Sequence, residues 1–264
     1  IRIASIVLIC GLYLYARYIE PGRLAVRRVA VESGKLTGQL SIAIVADTHI
    51  GTGGMNAKRL GKIMAAVAAE QPDAVVFLGD LFDNYSRYEG QDEQALAEAL
   101  SLPQLAEVPK YAVYGNHDLG GRAKNAFRDI MLEAGWQLLV NQRVSLGEIN
   151  LIGSDDMIFG QPHVEPLIDP NAFNLLLVHE PDIALQITDI DLQLSGHTHG
   201  GQVRIPLLGA LVLPEYGRQY TRGLYDKPDG GKVYVRTGLG KSALPFRFGA
   251  VPEINIHPLH RAQP

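Results

Sequence analysis

The sequence offers one thiol. Cys10 is the sole cysteine among 264 residues, which excludes an intrachain disulfide and a thiolate metal site. Any metal must be held by imidazole, carboxylate, amide or water. A strong charge of one sign is also missing: 24 Lys and Arg stand against 28 Asp and Glu, and a net charge of -4 gives no global basis for nucleic-acid binding. Fixed-period repeats and low-complexity tracts are absent, so solenoids and disordered tails are not the class. What is present is 47% hydrophobic and 20% charged, the balance of a globular chain with a sizeable core.

One uncharged apolar run stands out, Ile3 to Ala16, with Arg17 after it. It is shorter than the ~20 residues a spanning helix needs. Tyr13, Tyr15 and Tyr18 cluster at its C-terminal end, as in an interfacial aromatic belt. Arg17, Arg23, Arg27 and Arg28 crowd the downstream flank and place the following domain on the cytoplasmic face of the inner membrane. A cleaved signal peptide fits less well, because a small-residue cleavage site is not evident. A buried helix is the other alternative. The chain begins at Ile1 rather than Met, which leaves room for residues upstream. The expected organisation is a membrane anchor over 1–20, single-pass or peripheral, and one domain over 21–264.

Beyond Pro21-Gly22 the pattern alternates. Leu24 to Val31 suits an outer strand. Leu40 to Ala46, Ala74 to Leu78, Lys110 to Tyr114, Asn174 to Val178 and Leu192 to Ser195 are short apolar runs of buried-strand type. Asn56 to Glu70, Asp92 to Leu102 and Arg122 to Ala134 carry a helical period. Short strands are expected around Trp136 to Val140, Val144 to Leu146 and Asn150 to Gly153, and a helical turn over Asp182 to Ile187. After Gly201 the turns and β-rich runs (Gln202 to Pro206, Tyr220 to Tyr225, Lys232 to Arg236, Glu253 to His257) indicate a β-rich second half. The whole reads as an α/β sheet sandwich flanked by helices.

Each buried strand ends in chemistry. The clusters are Asp47/His49, Asp80/Asp83, Asn116/His117/Asp118, His179 and His197/His199. A turn explains any one of them, since Gly, Asn and Asp are common where strands end. It does not explain why four of the five contain His when the chain has eight. Strand ends at one sheet edge converge in space. Together these residues offer ligands for two divalent ions. His163, His257 and His260 fall outside the set and read as surface or tail residues.

The ordered motifs Asp47-Thr48-His49, Gly79-Asp80-Leu81-Phe82-Asp83, Gly115-Asn116-His117-Asp118, the lone His179 and Gly196-His197-Thr198-His199 closely resemble the calcineurin-like metallophosphoesterases. The resemblance spans about Leu40 to Gln202. It implies a four-layer αββα sandwich with two mixed β-sheets. It also implies that Asp47, His49 and His199 hold one metal, that Asn116, His179 and His197 hold the other, and that Asp80 bridges them. His117 is then free to reach substrate, with Asp83 hydrogen-bonded to it, and Asp118 supports the loop. Two cations roughly 3.5–4 Å apart clamp a phosphate, and a bridging hydroxide attacks phosphorus in line. The mixed N and O donors suit Mn²⁺, Fe²⁺, Zn²⁺ or Mg²⁺, with Mn²⁺ favoured.

Gly200-Gly201-Gln202, Leu213-Pro214, Gly217-Arg218, Gly238-Leu239-Gly240 and Leu244-Pro245-Phe246-Arg247, with the apolar N-terminus, are similar to a bacterial membrane-associated subgroup. That subgroup includes phosphodiesterases and enzymes that cleave the pyrophosphate of UDP-2,3-diacylglucosamine. A phosphodiester or pyrophosphate substrate, lipid-linked, is therefore expected. Arg218 and Arg247 are candidates for a distal phosphate. Leu207, Leu208, Leu211 and Leu213 read as core packing in preference to a lipid-contacting patch. A phosphomonoesterase or protein phosphatase is the alternative within the same chemistry, although Asn84-Tyr85 replaces the Arg-Gly that protein phosphatases carry after the second motif. A catalytically silent metal-binding scaffold is the alternative from another class.

Overall fold

The structure, a computed structural model, describes residues 2–87 and 92–262. In chain order the strands are β1 (Ala25–Arg28), β2 (Val31–Ser33), β3 (Gln39–Val45), β4 (Ala74–Leu78), β5 (Lys110–Val113), β6 (Gln137–Leu138), β7 (Gln142–Leu146), β8 (Ile149–Gly153), β9 (Phe173–Leu177), β10 (Leu192–Ser195), β11 (Arg204–Ile205), β12 (Gly209–Ala210), β13 (Gly223–Asp226), β14 (Lys232–Val235) and β15 (Glu253–Arg261). The α-helices are α1 (Arg2–Leu14), α2 (Ala57–Ala69), α3 (Glu93–Leu100), α4 (Asn116–Gly120) and α5 (Lys124–Glu133).

Two mixed sheets result. One runs β1-β15-β3-β4-β5-β6, with β2 also paired to β15; the other runs β13-β14-β10-β9-β8-β7. Within the first, β3, β4 and β5 are parallel. Within the second, β9, β10 and β14 are parallel. Each parallel set therefore has its C-terminal ends along one edge, where open sheets place their ligand sites.

β3 shows how the layers form. Ala43 and Val45 face a core shared with the helices, while Ile42 and Ile44 face a core shared with the second sheet. Side chains alternate across a strand, so both faces of this one are buried. Helices α2, α3 and α5 cover the outer face of the first sheet through Leu60, Met64, Leu96, Leu100, Phe127 and Ile130. On α2, Leu60, Ile63, Met64 and Val67 lie on one helical stripe, and Asn56 caps the start by accepting from Arg59 N at 3.0 Å. Burying those four side chains contributes roughly 6–12 kcal/mol of gross transfer energy before entropy. The outer face of the second sheet has a thinner cover. Its cluster of Ile152, Leu176, Val178, Ile183 and Ile187 lies beneath the short 3₁₀ helix Pro181–Leu185 and loops.

Several expectations change. The N-terminal helix does not stop at Ala16: α1 continues through a π-helical turn and a 3₁₀ turn, so Ile3–Gly22 forms a 20-residue helical run long and apolar enough to cross a membrane. Its base is fastened to the domain. Ala250 N and Gly249 N donate to Glu20 at 2.7 and 3.1 Å, and Arg247 N donates to Ala16 O at 2.9 Å. His257 is not a surface residue. It lies on β15 fully buried, with its ring 4.3 Å from the ring of Tyr234. Leu207, Leu208 and Leu211 are not core either; all three are exposed, Leu207 completely. They lie in a loop built around the two-stranded ribbon β11–β12, which is too small to bury them.

Candidate metal centre

The five strand ends meet. Asp47 and His49 follow β3, Asp80 follows β4, Asn116 opens α4 after β5, His179 follows β9, and His197 and His199 follow β10. Ligand atoms of Asp47, His49 and His199 lie within 4.8 Å of one another; so do those of Asp47, Asp80 and His179. Asp80 Oδ2 is 3.4 Å from His49 Nε2 and 3.2 Å from His179 Nε2. His49 Nε2 and His199 Nε2 are 2.9 Å apart, and His197 Nδ1 is 3.0 Å from Asn116 Oδ1.

The backbone is bent to make this possible. Asp47, His49, Asp80, His197 and His199 all have φ between 47° and 70°, a region non-glycine residues adopt rarely. Five such positions among seven candidate ligands are the strain expected where a site, not the fold, dictates conformation. Gly79 shows the same pressure. It has φ +85°, and a Cβ there would lie 2.4 Å from Gly115 N.

Supporting bonds set the imidazoles. His179 Nδ1 is 2.6 Å from Leu78 O, and His197 Nε2 is 2.7 Å from Glu215 O. In each ring the nitrogen next to a carbonyl carries a proton, which leaves the other nitrogen as the ligating one whenever the ring is neutral. Asp47 Oδ1 accepts from His197 N at 2.8 Å, and His117 N donates to Asp80 Oδ1 at 2.9 Å. Asp118 accepts from Asp80 N, Gly115 N and Leu81 N at 2.8, 2.9 and 3.0 Å, which locks the second motif to the third.

Protonation follows from burial and neighbours. Burial opposes charge on Asp80, yet His179 and His117 hold its carboxyl well below the usual range. Burial, then His179, pushes His197 down to about 4. Burial, His49 and Arg247 push His199 well below the ordinary value. Those two rings are therefore neutral, the state that ligates metal. Burial also opposes charge on His117, but the Asp80 carboxylate and the Asp83 carbonyl outweigh it and raise its pKa.

The donor set fits divalent cations. Asp47 Oδ2 and His179 Nε2 are buried with no hydrogen-bond partner, although both belong to the clusters above. Buried orphans cost about 1–3 kcal/mol each, so a native site needs a group to satisfy them.

Comparison with known proteins settles the family. The family model for calcineurin-like phosphoesterases matches residues 40–201. The chain belongs to that family. It is similar to the uncharacterized metallophosphoesterase YkuE of Bacillus subtilis, 36% identical over 262 residues, 94% of this chain and 90% of the relative. It is also similar to Phosphodiesterase YaeI of Escherichia coli, 31% identical over 258 residues, 92% of this chain and 90% of the relative. A solved dimetal phosphatase from Danio rerio shares the fold at a TM-score of 0.50, with 11% identity, over 77% of this chain and 88% of that one.

Not every residue in this metallophosphoesterase is where the motifs suggest. Asp83 turns its carboxylate to His49 Nδ1, at 3.4 Å; it is the Asp83 backbone carbonyl that meets His117 Nδ1. Arg247 is fully buried and does not face a substrate. Its guanidinium donates to Gly240 O, Thr237 O and Ala250 O, each at 2.8 Å, and lies 3.1 Å from His199 Nδ1. The physical reason is that those carbonyls satisfy the guanidinium inside the fold, while the Arg247 backbone is bonded through its N to Ala16 O at the base of the helical run. Arg218 remains exposed in the loop after Pro214, where Gly217 packs on Thr198.

Other contributors carry no motif signal. Glu180 groups with His179 and His197 in a third cluster, and burial and Asp156 raise its pKa well above the carboxylate range. A Glu directly after the lone His was the one available hint. Ser242 Oγ lies 3.5 Å from His117 Nε2, and Gln202 holds that loop by accepting from Ser242 N at 3.0 Å. Nothing in local sequence links positions 202 and 242.

Proposed function

We propose that this phosphoesterase is a binuclear-metal phosphohydrolase that cleaves a phosphodiester or pyrophosphate. Asp47, His49 and His199 would hold one ion, Asn116, His179 and His197 the other, and Asp80 both. The observation that carries the reading is Asp80 Oδ2 standing between His49 Nε2 and His179 Nε2, one from each proposed set, at 3.4 and 3.2 Å. The ions, with Mn²⁺ favoured among Mn²⁺, Fe²⁺, Zn²⁺ and Mg²⁺, supply Lewis acidity to the phosphoryl oxygens and a source of hydroxide near neutral pH.

The chain's own groups do the rest. The Asp83 carbonyl accepts from His117 Nδ1, which fixes the ring and leaves Nε2 3.5 Å from Ser242 Oγ, and both residues line one cavity. In its cationic form His117 donates the Nε2 proton to the leaving oxygen, the work of a general acid. His117 N, bonded to Asp80 Oδ1, ties that acid to the bridging carboxylate. Arg218 is proposed to contact a distal phosphate.

The relative named as a phosphodiesterase supports diester over monoester chemistry. Residues 1–20 are proposed as a membrane anchor and 21–264 as the catalytic domain, on the cytoplasmic face of the inner membrane. A lipid-linked substrate of the UDP-2,3-diacylglucosamine kind follows from that placement. Hydrolysis of bis-p-nitrophenyl phosphate, p-nitrophenyl phosphate and UDP-2,3-diacylglucosamine by metal-loaded protein tests the set. Faster diester than monoester turnover supports the reaction class, and turnover of the lipid nucleotide supports the substrate. Turnover of none, with two metals bound, refutes both.

A further inference from the structure

Two cavities flank the metal centre, divided by Ser242 and Ala243, which line both. The one on the His117 side, about 460 Å³, has a mixed lining, with Asp83, Asn84, Asn116 and His117 on the polar side and Phe159 on the apolar side. The other, about 330 Å³, is an apolar trough walled by Val203, Leu211, Val212, Pro214 and Leu244, within the size range of small-molecule sites. Its inner end is formed by His197 and His199. Whatever fills it therefore adjoins the reacting centre.

The trough also has an open end with a direction. Leu211, Val212 and Leu244 are 55%, 70% and 46% exposed, and the loop they share with Leu207 and Leu208 is apolar. A crevice next to this loop is lined by Leu207, Phe248 and Tyr15, the last from the base of the N-terminal helical run. Tyr13 of α1 packs on Phe246, two residues beyond Leu244, with ring centroids 5.5 Å apart. One apolar surface thus runs from the helix base to two candidate metal ligands. Contiguous exposed apolar surface of this kind marks an interaction site.

We infer that the trough is a hydrocarbon-chain subsite: it takes the chain of an amphiphilic phosphodiester whose phosphorus lies at the His197/His199 end. The mixed cavity beyond Ser242 takes the group on the other side of the phosphorus. This rests on the phosphodiesterase reading above and adds where the chain lies. The occupant is a membrane amphiphile, because the open end of the trough continues into the base of the apolar helix.

The test compares methyl p-nitrophenyl phosphate with octyl p-nitrophenyl phosphate, kept below its critical micelle concentration, on the Mn²⁺-loaded full chain. Both esters release p-nitrophenolate, so the chain is the variable. Octyl is expected to exceed methyl in kcat/KM by about 10-fold or more, as burial of two methylenes alone would supply. The double substitution Leu211→Ser/Val212→Ser, at exposed positions, is expected to bring the ratio near one with methyl turnover unchanged. A ratio near one in the unsubstituted protein overturns the subsite and leaves the phosphodiesterase reading standing. If neither ester is cleaved, that reading fails, and calorimetry with octylphosphonic and methylphosphonic acids decides the subsite separately. Tighter octyl binding that is lost in the double variant supports the trough; equal binding refutes it.

Discussion

His49 Nε2 and His199 Nε2 face each other at 2.9 Å, although the two residues are 150 positions apart. That spacing is an N–H···N hydrogen bond when one ring donates to the other. The same two rings and Asp47 put ligand atoms within 4.8 Å of one another, and a divalent ion bound there would replace that bond. Chelator-treated protein is therefore expected to gain about 5–10 °C in melting temperature when Mn²⁺ is added at about 100 times its Kd. Differential scanning fluorimetry reads it; an unchanged melting temperature would show that the facing rings do not bind the ion.

The part taken by His117 separates from that of Asp83. His117→Asn is expected to lower kcat by about 10²–10⁴-fold with bound metal unchanged. Asp83→Ala is expected to cost less, about 10-fold or below, because the Asp83 carbonyl and not its carboxylate holds the His117 ring. Equal losses in steady-state assays would mean that the carboxylate swings to His117 during turnover.

The two arginines grouped by sequence are expected to diverge. Arg247→Ala strips three carbonyls of a buried donor and is expected to cost about 3 kcal/mol or more, read by chemical denaturation. Arg218→Ala at its exposed site is expected to leave stability unchanged and raise KM by about 10-fold for a substrate with a distal phosphate. An Arg247→Ala protein of normal stability would contradict the packing described here.

That contrast shows what the sequence could convey. β3 was readable because a short β-branched run with polar ends has few alternatives, and the convergence of the candidate ligands was readable because each ends such a run. Arg247 was not, because burial of a guanidinium depends on carbonyls at 237, 240 and 250 and on the helix base, none of which a local pattern reveals. His257 was missed in the same way. It lies on a nine-residue strand pinned against β3 in the first sheet, and its sequence surroundings resemble a polar tail. The apolar loop at 207–213 misled in the opposite direction. Leucines imply a core by composition, but a two-stranded ribbon has nothing to pack them against.

His257 carries a pH dependence. Burial depresses its pKa to about 3 in the folded chain, from 6.5. The unfolded chain then binds the extra proton first, so the His257 contribution to stability is intact above about pH 6.5 and is lost progressively as pH falls toward 3. Between pH 7 and 4.5, chelator-treated protein is expected to lose about 2–3 kcal/mol more than its His257→Leu variant. Urea denaturation at the two pH values checks this; parallel losses would place the His257 proton elsewhere.

The most direct test of the binuclear reading is Asp80→Asn, with bound metal and bis-p-nitrophenyl phosphate turnover measured on the same preparations. Two ions per chain in the unsubstituted protein, at least one missing in the variant and turnover reduced by about 10²–10³-fold are the expected results. Unchanged metal content together with unchanged turnover would contradict the assignment of Asp80 as the shared ligand, and with it the proposed catalytic centre.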